Sequence, residues 1–73
     1  MTHFQDYINY LKLNGWTERS HMSFIKNGYE IFWDTSNAVE IYPENDNKRR
    51  LEDVRIETLD DLEKLIKRLD KKQ

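Results

Sequence analysis

The dipeptide Asn27-Gly28 is the feature that most restricts how this chain can fold. An Asn-Gly pair between two runs of apolar residues is the strongest short signal for a two-residue β-hairpin turn, because both turn positions need positive φ. We therefore expect antiparallel strands over 20–26 and 29–34. The register places Lys26 opposite Tyr29, Phe24 opposite Ile31 and Met22 opposite Trp33 on one face. The other face carries His21, Ser23, Ile25, Glu30, Phe32 and Asp34.

A second turn, at residues 35–37, leads into a third strand over 38–42. Val39 and Ile41 should lie on the apolar face of the hairpin, which requires a loop with an odd number of residues. We expect a three-residue loop in which Asn37 is left-handed, since that loop length meets the requirement.

Two segments have the apolar spacing of amphipathic helices. The first, over 2–14, begins with a capping box formed by Thr2 and Gln5. It should end at a left-handed Gly15, which places Trp16 against the last turn of the helix. Its apolar stripe comprises Phe4, Tyr7, Ile8 and Leu11.

The second helix, over 59–71, follows Thr58, whose hydroxyl should cap its first turn. Its apolar stripe comprises Leu59, Leu62, Leu65, Ile66 and Leu69. Before it, Pro43 ends the third strand and opens an exposed polar loop over 43–50. Alternation at Val54 and Ile56 leaves open a short fourth strand at the sheet edge, over 53–57.

These elements predict a single α+β domain over 1–73. An N-terminal helix precedes an antiparallel three-stranded meander, with or without the fourth strand, and a C-terminal helix follows. Two helices that flank a meander should cover the same face of its sheet, which gives a two-layer architecture.

Composition excludes several classes of protein. The chain has no cysteine, so it offers neither a disulfide framework nor a thiolate metal site. Its longest apolar run, Ile31-Phe32-Trp33, is far shorter than the roughly 20 residues of a membrane-spanning helix. The N-terminus lacks the basic-then-apolar pattern of a signal peptide, and we expect a cytoplasmic protein. Small chains without disulfides or metals often oligomerise, so we also expect a homodimer.

The segment 27–37, Asn-Gly-Tyr-Glu-Ile-Phe-Trp-Asp-Thr-Ser-Asn, followed by Val39-Glu40-Ile41-Tyr42, resembles the small Yopt family of uncharacterised Bacillus prophage proteins. The length and the leading helix are similar as well, so the resemblance extends over the whole chain. It implies a homodimer of protomers with one helix and three strands, of unknown function. It supplies no functional residues or cofactors, and the second helix predicted above goes beyond it.

His21 is the titratable residue with the most interesting predicted partner. The hairpin register places it opposite Asp34, and a His–carboxylate pair can orient a general base. No serine has a spacing that makes it a nucleophile, so a cross-strand surface ion pair is the simpler interpretation. Two histidines without ligand spacing and two isolated glycines predict neither a metal site nor a phosphate-binding loop. We expect no catalytic, cofactor-binding or metal-binding residues.

A small basic cluster is the one feature that favours nucleic-acid binding. It comprises Lys48, Arg49, Arg50 and Arg55. The net charge of −2 and the pI near 5.6 argue against it, as do the acidic residues that surround the cluster. A small nucleic-acid-binding regulator is therefore the alternative interpretation.

Ile25, Phe32 and Tyr42 favour a protein-binding function instead. They are predicted to lie on the sheet face opposite Trp33, and a contiguous apolar patch on a surface usually marks an interface. We expect this patch to be the interface of the homodimer or of a complex with another protein. If the family resemblance holds, a host or phage protein is a candidate partner. The other possibility is that one terminal helix crosses to this face and buries it.

Overall fold

The computed structural model describes residues 3–71 as two layers, a five-stranded antiparallel sheet and two helices packed on one of its faces. The elements are α1 (Phe4–Leu13), β1 (Thr17–Ser20), β2 (Ser23–Lys26), β3 (Tyr29–Thr35), β4 (Ala38–Pro43), β5 (Glu52–Arg55) and α2 (Leu59–Lys71). The strands follow one another in the sheet in chain order, so β1 and β5 are its edges. The predicted two-layer α+β architecture is confirmed, but the sheet has five strands rather than three or four.

The core lies between the helices and one face of the sheet. The buried apolar residues of the sheet strands all belong to the face predicted from the hairpin register: Phe24, Ile31, Trp33, Val39 and Ile41. The helices cover them with Tyr7, Ile8 and Leu11 from α1 and Leu62, Leu65, Ile66 and Leu69 from α2. Both apolar stripes therefore serve the same face of the sheet, and neither helix crosses to the other face.

The start of α1 differs from the prediction, whereas its end agrees. The helix begins at Phe4 after His3, and the Asp6 carboxylate accepts a hydrogen bond from the His3 amide at 3.1 Å, in place of the predicted Thr2/Gln5 box. Thr2 itself lies outside the described residues. At the other end, Gly15 has φ of +89°, and the Trp16 amide donates to the Leu11 carbonyl at 2.9 Å. This is the backbone geometry of a Schellman motif, and it buries Trp16 as expected.

The Asn27-Gly28 hairpin is confirmed in turn and in register. Asn27 and Gly28 have φ of +54° and +82°, and β2 and β3 pair Lys26 with Tyr29 and Phe24 with Ile31. The predicted first strand, 20–26, is wrong at its N-terminal end, because the chain turns at residues 21–22 between β1 and β2. β1 was not predicted: its four residues, Thr-Glu-Arg-Ser, are all exposed, so they show no apolar alternation.

The turn between β3 and β4 reaches the predicted pairing by a different route. Thr35 pairs with Ala38 across a two-residue loop, and a β-bulge between Trp33 and Thr35 supplies the extra residue. The bulge keeps Val39 and Ile41 on the apolar face of the hairpin, which is the effect that the three-residue loop with a left-handed Asn37 was expected to have. Within residues 3–71, Asn27 is the one non-glycine residue with positive φ, so the prediction for Asn37 is wrong. Trp33 still faces Val39, as expected.

The C-terminal third of the fold follows the prediction closely. The open question of a strand near 53–57 is settled by β5, which pairs with β4 through Val39 and Val54 and through Glu40 and Asp53. At the start of α2, Thr58 Oγ1 accepts a hydrogen bond from the Asp61 amide, and Asp61 Oδ2 accepts one from the Thr58 amide, each at 3.2 Å. This reciprocal capping begins α2 at Leu59, as predicted.

Candidate functional site

The sheet face away from the helices, here called the open face, carries the three residues predicted as an interface. Ile25 and Tyr42 are half-buried on neighbouring sides of β3, since both lie level with Glu30 in the sheet register. Phe32 lies two residues further along β3, where it pairs with Ser23 of β2 and Glu40 of β4, and it is 37% exposed. Ile25 and Tyr42 are thus each a diagonal neighbour of Phe32, and Glu30 lies between them in the middle of the sheet.

Glu30, at the centre of the open face, is buried to 8% exposure and is paired within the chain. Arg19 Nη1 lies 3.3 Å from Glu30 Oε1 and donates a second hydrogen bond to the Glu44 carbonyl at 3.1 Å. Arg19 comes from β1, so sequence reasoning missed it together with that strand. The ion pair neutralises a carboxylate that would otherwise be costly to bury.

Glu40 is held by two donors on the same face. The Tyr42 hydroxyl donates to Glu40 Oε1 at 2.6 Å, and Arg50 Nη1 donates to Glu40 Oε2 at 3.0 Å. The Tyr42 hydrogen bond, supported by Arg50, lowers the pKa of Glu40 below its ordinary value. The same contact with Glu40 raises the pKa of Tyr42. Glu40 is therefore an ionised acceptor, and it fixes the position of the Tyr42 ring.

A shallow depression of about 300 Å³ lies between these groups. Its lining comprises Ser20, Ser23, Glu30, Phe32, Tyr42 and Asn47. The hydroxyls of Ser20 and Ser23 lie 2.8 Å apart, and Asn47 comes from the loop between β4 and β5. The two aromatic rings can contact an apolar side chain of a bound molecule. The nearby hydroxyl and amide groups can form hydrogen bonds with the polar groups next to that side chain.

The basic residues predicted as a nucleic-acid contact are all exposed, but two of their charges are offset. Arg50 pairs with Glu40 at 3.0 Å and with Asp53 at 3.9 Å, and Arg55 Nε lies 2.6 Å from Glu57 Oε1. Lys48 and Arg49 lie beside them in the exposed loop, where the Lys48 amide donates to Asp46 Oδ1 at 3.2 Å. The cluster is therefore interleaved with carboxylates, as the sequence indicated.

His21 is not opposite Asp34, so the predicted His–carboxylate pair is wrong. It lies in the turn between β1 and β2, and it lines a groove on the helix-covered side with Phe4, Ile8 and Met22. The cause is that the chain turns at residues 21–22, between the unpredicted β1 and β2, where the sequence predicted one continuous strand. Among residues 3–71, no group of three His, Asp or Glu side chains is placed to hold a metal ion.

Comparisons with protein-family models, with curated proteins and with solved structures give no match to this chain. The resemblance to the Yopt family therefore stays a prediction. In the part of the chain that the structure describes, no helix is long and apolar enough to span a membrane.

Proposed function

We propose that this chain is a small cytoplasmic protein-binding module without catalytic activity, and that the open face contacts its partner protein. The observation that carries the proposal is the position of the helices. Both bury the same side of the sheet, and no helix within residues 3–71 covers the open face. Phe32 is left 37% exposed there beside Ile25 and Tyr42, and such a group of apolar side chains is typical of an interaction surface.

The charges around this patch favour a protein as the partner. Protein interfaces combine an apolar centre with a polar rim, and charged groups are tolerated at the centre when they are paired. Glu30 and Glu40 each have an arginine from their own chain, Arg19 and Arg50. A partner that covers Phe32 therefore does not have to supply a cation to either carboxylate.

A nucleic-acid-binding regulator is the second candidate function. The specific observation in its favour is that Lys48 and Arg49 lie exposed in the loop before β5, in the same loop as Asn47, which reaches the depression at Phe32 and Tyr42. Aromatic rings on a sheet can stack with bases when basic groups hold the backbone. The pairing of Arg50 and Arg55 with carboxylates reduces this positive field, so we rank it below protein binding.

Affinity capture with matched variants tests the proposal. The wild type, Phe32→Thr and Leu13→Gln are each immobilised and exposed to lysate of the source organism, with and without nuclease. Threonine keeps the β propensity of position 32 and removes the apolar ring. Leu13 is 86% exposed at the end of α1, so Leu13→Gln controls for loss of any exposed apolar residue.

We expect a protein retained by the wild type and by Leu13→Gln but lost from Phe32→Thr, in both nuclease conditions. Retention that disappears after nuclease treatment would instead favour the nucleic-acid function. A set of bound proteins that is the same for all three baits would contradict the proposed surface.

A further inference from the structure

The free edge of β5 has a charge pattern that is complementary to itself. β5 pairs with β4 on one side and is the last strand of the sheet. The Ile56 amide donates to the Asn37 carbonyl at 2.7 Å, which continues the same ladder. Because backbone groups alternate along an antiparallel strand, those of Val54 point toward β4, whereas those of Asp53 and Arg55 point toward the free edge. The side chains of Asp53 and Arg55 are 59% and 74% exposed. Within the chain Asp53 Oδ2 lies 3.9 Å from Arg50 Nη1 and Arg55 Nε lies 2.6 Å from Glu57 Oε1, so a charge pair across the free edge would be shared with these contacts.

We propose that two copies of this chain join through their β5 strands, antiparallel, around a two-fold axis that passes between the two Val54 residues. In this register Asp53 lies directly opposite Arg55 of the second copy, and the symmetry repeats the pair. Their outward amide and carbonyl groups then form a hydrogen-bonded pair between copies. The two opposite-charge pairs and the backbone hydrogen bonds between the two β5 strands would together stabilise the dimer.

The neighbouring registers are disfavoured by like charges. A two-fold axis at Asp53 places that carboxylate against its own copy. An axis at Arg55 places the two guanidinium groups together and brings Asp53 opposite Glu57, which is also acidic. A shift by one residue would exchange the two faces of the sheet, because side chains alternate along a strand. Val54 is therefore the one centre near the middle of β5 that pairs opposite charges.

The other edge of the sheet lacks this complementarity. An antiparallel pair of β1 strands centred on Glu18 or on Arg19 opposes identical charges. A register shift between Glu18 and Ser20 also breaks the regular ladder of β1, and such bulges are a common protection of edge strands. The fold thus has one protected edge and one edge that fits a second copy.

The helix side of β5 also leaves room at the proposed axis. A groove of about 300 Å³ runs between β5 and α2, with Val54 and Leu65 among its lining residues. Val54 is half-buried, and it pairs with the fully buried Val39 of β4. The Val54 side chain of the second copy would lie across the axis from it, on the same face of the joined sheet. This contact adds apolar burial to the charge pairs.

The inference goes beyond the proposed function, because it uses the edge of the sheet and leaves the open face uncovered. The joined sheet would have ten strands with all helices on one side. The two open faces would form one continuous surface, with a Phe32 patch on each half.

Charge reversal with mutual rescue tests this arrangement. Asp53→Arg places two guanidinium groups against each other across the axis, and Arg55→Asp places two carboxylates against each other there. We expect sedimentation equilibrium from micromolar to millimolar concentration to show a dimer for the wild type and a dissociation constant about tenfold higher or more for each variant. An equimolar mixture of the two variants restores both opposite-charge pairs in a heterodimer, and should associate with nearly wild-type affinity.

The rescue keeps the test decisive, because two misfolded variants would not restore each other's association. Phe32→Thr is the matched control, and it should leave the dimer unchanged. A monomeric wild type at millimolar concentration would overturn the inference, and so would a mixture that associates no better than either variant. Loss of the dimer in Phe32→Thr alone would place the second copy on the open face, which refutes the edge pairing but not the role of that face in binding.

Discussion

Tyr42 and Glu40 lie two residues apart on β4, and the Tyr42 hydroxyl donates a 2.6 Å hydrogen bond to Glu40 Oε1. Alternate residues of a strand point to the same face, so this contact links two positions along the open face rather than across strands. Arg50 completes the arrangement from the following loop, at 3.0 Å from Glu40 Oε2. The three groups connect the orientation of the Tyr42 ring to the ionisation of the Glu40 carboxyl group.

Tyr42→Phe should raise the pKa of Glu40 toward its ordinary value, because the hydrogen bond from Tyr42 is the largest cause of the lowered pKa. A lowered folded-state pKa gives stability that is present above the ordinary glutamate pKa and is lost as the pH falls through the lowered value. NMR titration of the Glu40 carboxyl carbon measures the shift directly. Tyr29→Phe, on the other face of β3, should leave the titration unchanged. An unaltered Glu40 pKa in Tyr42→Phe would contradict this account.

Trp33→Ala should cost about 3–5 kcal/mol of the free energy of unfolding, as large-to-small changes in a core do. Trp33 is 1% exposed, and its ring stacks on Tyr7 with centroids 5.1 Å apart and contacts Phe4 edge to face. Urea unfolding followed by far-UV circular dichroism measures the loss. Leu13→Ala is the control, and this exposed change should stay within about 0.5 kcal/mol. Equal stability of the two variants would mean that the predicted register of the sheet is wrong.

Gly15→Ala should destabilise the fold by about 1–3 kcal/mol, because alanine is strained at positive φ. The added Cβ would meet only the end of the Lys26 side chain, at 3.5 Å, so the cost lies in the backbone conformation rather than in a clash. Gly15→Asn is the matched variant, since asparagine tolerates left-handed backbone better than alanine. Thermal unfolding should rank glycine above asparagine and asparagine above alanine. A stability unchanged in Gly15→Ala would show that Trp16 does not depend on this cap.

Local turn and capping chemistry explains why so much of the fold was predictable. Asn27-Gly28, Gly15 and Thr58 each impose a backbone conformation through neighbours in the sequence, and their predicted effects on turn, helix end and helix start are all found. The apolar residues of β2, β3 and β4 then fix the buried face, because one parity of each strand is more apolar than the other, which mixes Ile25, Phe32 and Tyr42 with polar residues.

The unpredicted parts depend on tertiary contacts between polar residues. β1 has no apolar alternation, and it is an exposed edge strand held by its pairing with β2. Because the prediction lacked β1, it placed His21 within a strand and did not identify Arg19 as the partner of Glu30. The bulge near Thr35 could not be predicted either, because a three-residue loop and a two-residue loop with a bulge place Val39 on the same face of the sheet. The apolar part of the open face was predictable, whereas its ion pairs were not.

Duplex DNA should not bind at physiological salt. Affinity for duplex DNA depends on several Lys and Arg side chains that release counterions from neighbouring phosphates. Here Arg50 and Arg55 already contact the carboxylates of Glu40 and Glu57, so binding phosphate would require breaking those pairs. Fluorescence anisotropy with a labelled duplex at about 150 mM salt should show no binding in the micromolar range.

Variants that free the basic cluster make this prediction sharper. Glu57→Gln removes the carboxylate beside Arg55 and puts no cation in its place, and Glu18→Gln makes the same change beside Lys12, on the opposite edge strand of the sheet. If carboxylates limit the field of the cluster, Glu57→Gln should bind DNA more tightly than the wild type at low salt, and Glu18→Gln, with the same change in net charge, should increase binding less. Sub-micromolar binding by the wild type at physiological salt, weakened when Arg49 and Arg50 are replaced by glutamine, would overturn the prediction and favour the nucleic-acid function.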